Sequence, residues 1–112
     1  MTSLAQQSCE PCSGNAKPMT QSECESQLKA LPQWRIVDHD GIMKLTRSYT
    51  FRDFVGALDF TQRVGEVAEQ AGHHPVITTE YGKATVTWWS HAIDGLHQND
   101  FILAARTDEV AE

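Results

Sequence analysis

The hydrophobic period of this chain switches repeatedly between 3.6 residues and two, and each switch falls at a turn signal. Thr20-Gln21-Ser22-Glu23 is a capping-box pattern, and Cys24, Leu28 and Leu31 then share one helical face up to Pro32. Trp34-Arg35-Ile36-Val37 reads as a short strand, followed by the Asp40-Gly41 signal of a hairpin turn. In the next strand Met43, Leu45, Tyr49 and Phe51 have one parity, and Lys44, Thr46, Ser48 and Thr50 the other. One face of that strand therefore packs while the other meets solvent or a partner.

From Arg52 the period is helical again, with Phe54, Ala57, Leu58, Thr61, Val64, Ala68 and Ala71 in one stripe and Gly72 as a left-handed stop. Phe60 and Val67 lie partly off the stripe, which hints at a second buried contact such as a subunit interface. Residues 76–81 and 83–89 are rich in Thr, Val, Ile and aromatics, with Tyr81-Gly82 reversing the chain between them. A loop holding His91, Gly95 and His97 leads to a last helix starting near Asn99 or Asp100, with Phe101, Ala104 and Ala105 on its inner face. The order α-β-β-α-β-β-α implies an α+β layer, an antiparallel sheet covered on one side by helices.

At 112 residues this is one domain. Residues 1–18, rich in Ser, Gln, Pro, Gly and Cys, read as a flexible N-terminal tail, with the domain running from 19 to 112. The tail lacks the basic start and apolar stretch of a secretion signal, so the expected compartment is the cytoplasm. A net charge of −6, with only nine scattered Lys and Arg, argues against direct nucleic-acid binding. No apolar run suggests a membrane span. Cys9, Cys12 and Cys24 are an odd set; Cys9-x-x-Cys12 could be half a zinc site or a redox pair, but no second ligand pair follows it, and a reduced thiol pair fits better.

Chemistry gathers at His73-His74-Pro75 and His91. Histidine alone exchanges protons near neutral pH without any perturbation. If the second hairpin turns between Tyr81 and Lys83, Pro75 lies opposite about Ser90 and His74 opposite about His91, so the hairpin brings two imidazoles together. His74 precedes proline and is therefore extended, so His73 and His74 point to opposite sides and take different jobs. Asp100 and Glu69 are close in sequence to this group, and a carboxylate beside an imidazole fixes its tautomer and supports its charge. The residues alone leave three readings open: a proton-transfer site, a metal site, or exposed loop histidines. A metal set lacks the usual i, i+4 histidine pair, and a covalent nucleophile lacks both a nearby cysteine and a Gly-x-Ser-x-Gly elbow.

Glu69, three residues, His73-His74-Pro75, five residues, Tyr81, nine residues, His91, eight residues and Asp100 together resemble the signature of the pterin-4a-carbinolamine dehydratases. The resemblance extends through Trp34, the segment YTFRDF from Tyr49 to Phe54, and Trp88-Trp89-Ser90-His91, covering about residues 20–110. It implies a four-stranded antiparallel sheet with helices packed on one face, assembled as a homodimer or homotetramer. It also implies a dehydratase that removes water from 4a-hydroxytetrahydropterin, giving quinonoid dihydropterin in cofactor recycling after aromatic amino-acid hydroxylation. No metal and no other cofactor is expected.

By this resemblance His73, His74 and His91 are the catalytic or substrate-contacting residues. The hairpin register suggests His74 and His91 as the acid and base pair, with His73 binding the pterin. Asp100 would orient or charge a histidine, Glu69 would support the wall, and Trp34 would either border the pterin ring or lie in the core. Some relatives of this kind also act as protein-binding coactivators, so a regulatory role through a protein partner is the alternative function.

Overall fold

The computed structural model describes residues 4–7, 9 and 17–111; Cys12 lies outside them. Helix α1, Gln21–Leu28, starts at the expected capping box, in which the Thr20 hydroxyl accepts from the Glu23 N–H and the Glu23 carboxylate accepts from the Thr20 N–H. It stops earlier than Pro32 suggested, and the chain passes through a turn before strand β1, Arg35–His39. Strand β2, Ile42–Thr50, returns after Asp40-Gly41, both at positive φ (55° and 83°) as a tight hairpin requires.

Helix α2, Phe54–Ala71, is capped by the Asp53 carboxylate, which accepts from the Gly56 N–H at 2.8 Å. Strands β3, Val76–Glu80, and β4, Lys83–Trp88, form the second hairpin. A 3-10 turn, His91–Ile93, then precedes helix α3, Gln98–Val110. The sheet order is β1-β2-β4-β3, antiparallel throughout. This is the expected four-stranded α+β layer, and the strand alternation shows why it forms.

Leu45 and Tyr49 of β2 and Ala84, Val86 and Trp88 of β4 are buried in the cluster that holds Phe60, Val64 and Ala68 of α2 and residues 101–104 of α3. The opposite parity carries hydroxyls, paired across the strands as Thr46 with Thr87 and Ser48 with Thr85, each 2.9 Å apart.

Two expectations about packing change. Phe60 does not face a second interface; it is 3% exposed, with its ring 4.6 Å from Tyr49 and 5.1 Å from Phe51, centroid to centroid. On α2 the large apolar residues left outside are instead Phe54, Val55 and Leu58, at 43%, 73% and 51% exposure. The sheet meets α2 along Ala57, Phe60, Val64 and Ala68, a face rotated from the stripe that periodicity picks out, because Phe51 and Tyr49 approach from the side of Phe60.

The stretch read as a tail also has structure in part. Leu4 is buried in the core cluster, and Arg106 of α3 donates to the carbonyls of Ala5 and Gln7, so residues 4–7 lie against α3.

Candidate active site

Gly72, at φ 63°, ends α2 and turns the chain so that His73 and His74 enter an extended segment before Pro75. Their side chains diverge as extended neighbours must. The His73 side chain is 11% exposed and that of His74 59%. Each imidazole meets a carboxylate: His73 Nε2 lies 2.7 Å from Asp100 Oδ1, and His74 Nε2 lies 2.5 Å from Glu69 Oε1. A carboxylate can only accept, so Nε2 is the donor in both rings, and a neutral ring then presents Nδ1 as its acceptor.

Asp100 is fully buried and collects three donors. Besides His73, the Ser90 hydroxyl donates to Oδ2 at 2.8 Å and the His97 N–H donates to the same oxygen at 3.0 Å. The carboxylate therefore joins the exit of α2, the exit of β4 and the start of α3. The Trp88 ring stacks beside His73, centroids 5.9 Å apart and planes 17° from parallel. Trp89, on the other parity, carries His91 against its indole at 4.3 Å and has the Lys44 ammonium 3.9 Å from the ring centroid.

The hairpin register differs from the expected one. The turn uses only Tyr81 and Gly82, and Glu80 pairs with Lys83 and Val76 with Thr87. Continued past Val76, that register sets His73 against Ser90 and His74 against Trp89, not His74 against His91. Regular pairing ends there, since Ser90 bridges to Gly95 and His91 begins the 3-10 turn. His91 packs on the ring of Trp89, and neither His74 nor His91 lies within the paired stretch of the hairpin.

Trp34 lies elsewhere. It is 3% exposed, and its indole N–H donates to Asp108 Oδ1 at 3.0 Å, beside Tyr49. Asp108 follows Asp100 by eight residues of helix, about 12 Å along the axis. Trp34 is a core residue at that far end, not a wall for the histidines.

Sequence reasoning assigned no role to Ser90 or His97. For His97 a signal was present, since it stands three residues before Asp100, the spacing of an N-cap and its N3 carboxylate. Neither Cys9 nor Cys24, the cysteines among the described residues, offers a ready nucleophile to this cluster. Burial pushes the Cys24 thiol up to about 11, with the charges of Glu23, Asp100 and Glu25 adding to the effect. Cys9 is also raised, by burial first, with Arg106 opposing and Asp100 adding. Among the described residues no group of three His, Cys, Asp or Glu side chains is placed to hold a metal ion.

Comparison with known proteins bears on this arrangement. The family model for pterin 4 alpha carbinolamine dehydratase matches residues 17–110. Two provisionally named pterin-4-alpha-carbinolamine dehydratases, from Chlorobaculum tepidum and Marinobacter nauticus, are 53% and 52% identical over 110 residues, covering 98% of this chain and 99% of each relative. Among solved structures, a transcriptional coactivator/pterin dehydratase from Brucella melitensis is 31% identical, with a TM-score of 0.77 over 86% of this chain and all of that one. A pterin dehydratase-like protein identified as a RuBisCO assembly factor in the alpha-carboxysome has a TM-score of 0.60 at 21% identity, over 70% of this chain and 89% of that one, a likeness of fold. By sequence along nearly its whole length, and by fold, the chain belongs to the pterin 4 alpha carbinolamine dehydratase family.

Proposed function

We propose that this protein dehydrates a 4a-hydroxytetrahydropterin to the quinonoid dihydropterin, consuming the product of a pterin-dependent hydroxylation. The observation that carries the reading is the pair of imidazole–carboxylate contacts, His73–Asp100 and His74–Glu69, at one bend of the chain beside the strand exit that bears His91.

The reaction breaks the C4a–O bond and forms the C4a–N5 double bond. One side chain gives a proton to the departing hydroxyl, which leaves as water, and another takes the proton from N5; solvent then restores both groups. His74 and His91 are the acid and base pair in this proposal, supported by their exposure rather than by a direct cross-strand pairing. His73, nearly buried and held by Asp100, binds and orients the flat heterocycle. Glu69 holds the His74 ring.

Each acid or base of this kind contributes about 10²- to 10⁴-fold to rate. Stopped-flow dehydration of a synthetic carbinolamine should therefore slow by at least about a hundredfold in His74→Ala and in His91→Ala. Near-normal turnover in both variants would show the pair to be misassigned.

The exposed Phe54, Val55 and Leu58 on α2 favour a second reading alongside catalysis, in which this face makes a homodimer or homotetramer or docks a regulatory protein. The Brucella melitensis neighbour is described as a coactivator as well as a dehydratase. Light scattering and partner pull-downs with a Val55→Glu/Leu58→Glu variant test it: a monomeric wild type that captures no partner would remove this reading and leave catalysis standing.

A further inference from the structure

Helix α3 is capped by an imidazole. N-cap positions favour Ser, Thr, Asp and Asn because a short side-chain oxygen reaches the free N–H groups of the first turn. Here His97 Nδ1 accepts from the Asn99 N–H at 3.0 Å, so a neutral His97 carries its ring proton on Nε2. The reciprocal bond runs from the His97 N–H to Asp100 Oδ2. Asp100 is thus both the N3 partner of this cap and the carboxylate that holds His73.

The residues leading into the cap are held as well. Leu96 is fully buried and its carbonyl accepts from the Met19 N–H at 2.8 Å, while the Gly95 carbonyl accepts from the Ser90 N–H at 2.8 Å. His97 therefore stands between an anchored loop and a buried carboxylate, and the direction of the first turn of α3 decides where that carboxylate points. Water cannot compensate for a displaced Asp100, because the side chain has no exposure.

We infer that His97 is a positioning residue for the site: its Nδ1 lone pair sets the first turn of α3, and through Asp100 it holds the ring of His73. This deepens the dehydratase reading, and its kinetic arm rests on that reading. The structural arm does not, because the His73 Nε2–H proton can be followed by NMR without substrate.

Glycine at an N-cap keeps helices nearly as stable as the usual capping residues but supplies no side-chain acceptor. In the full chain, His97→Gly should speed solvent exchange of the His73 Nε2–H about tenfold and lower kcat about tenfold with KM within about twofold, as for a substrate-orienting group moved by a fraction of an ångström. His97→Asn, which restores a neutral acceptor, should return both quantities to within about twofold of the parent. If the glycine variant does not fold, His97→Gln, whose acceptor lies one bond further out, takes its place with the same expectation.

Unchanged exchange and unchanged kcat in the folded variant lacking a cap acceptor overturn the inference, as does loss of both that asparagine fails to restore. Altered exchange, restored by asparagine, in a protein whose parent turns over no carbinolamine supports the positioning role and sinks the dehydratase reading instead.

Discussion

Helix α3 carries two carboxylates that look alike in sequence and differ in what they do. Asp100, in its first turn, accepts from His73, Ser90 and the His97 N–H. Asp108, eight residues on, collects Trp34, Arg47 and Tyr49 on one oxygen. Both join the helix to the rest of the domain. The partners separate them: an indole, a guanidinium and a phenol are fixed donors near neutral pH, whereas an imidazole can pass a proton on.

Tyr49 illustrates the fixed kind. Burial first, then its hydrogen bond to Asp108 and the charge of that carboxylate, push its phenol well above the ordinary value, so it remains a neutral donor. Arg47 neutralises the same carboxylate at 2.7 Å and lies over the Tyr49 ring. The indole, guanidinium and phenol around Asp108 all keep their protons near neutral pH. Asp100 differs in that it fixes which nitrogen of a ring carries the proton, leaving the other as an acceptor.

Asymmetric damage breaks this comparison most clearly. Asp100→Asn presents an amide N–H where a lone pair faced His73, so the ring must move its proton to Nδ1 to stay bonded; turnover of a carbinolamine should fall about a hundredfold with the fold retained, as for other imidazoles held in the wrong tautomer. Equal activity in the asparagine variant would make Asp100 a structural tie like Asp108.

The converse damage is to stability. Asp108→Ala leaves the Trp34 N–H and the Tyr49 hydroxyl without their acceptor and should cost about 3 kcal/mol in urea unfolding, at about 1–3 kcal/mol for each such group, while kcat at a temperature where the variant is folded stays within about twofold. A large fall in kcat there would mean that the two ends of α3 are coupled.

A smaller effect reports how far burial masks a thiol near the Asp100 end of α3. Cys24, raised from 9.0 to about 11, binds its proton more tightly in the folded chain than in the unfolded one. Its stabilising contribution is complete below about 9 and is lost as pH rises through about 11. Alkylation of Cys24 at pH 8 should accordingly be slow beside that of the unfolded chain, and urea midpoints should fall less between pH 9 and pH 11 in Cys24→Ala than in the parent. Rapid labelling of native Cys24 at pH 8 would contradict this placement.

Much of the fold was legible because local rules act within a few residues. The capping box at Thr20, the Asp40-Gly41 turn and the Gly72 stop each depend on side-chain reach or on a positive φ that few residues tolerate, and each lies where the pattern placed it. The face of α2 that packs was less legible. Phe54 and Leu58 fit the helical period as well as Phe60 does, and only the approach of Tyr49 and Phe51 selects Phe60.

The site divides in the same way. The divergence of His73 and His74 follows from the extended backbone before Pro75, a local constraint that sequence alone determined. The element order and the chain's likeness to its family were likewise legible without coordinates. Which carboxylate each histidine receives, that Trp34 belongs to Asp108, and that the hairpin pairs Val76 with Thr87 were decided by the tertiary structure. Those contacts depend on how separate elements stack and on a turn one residue tighter than expected, and a pairing shift of one residue reverses the side to which every side chain points.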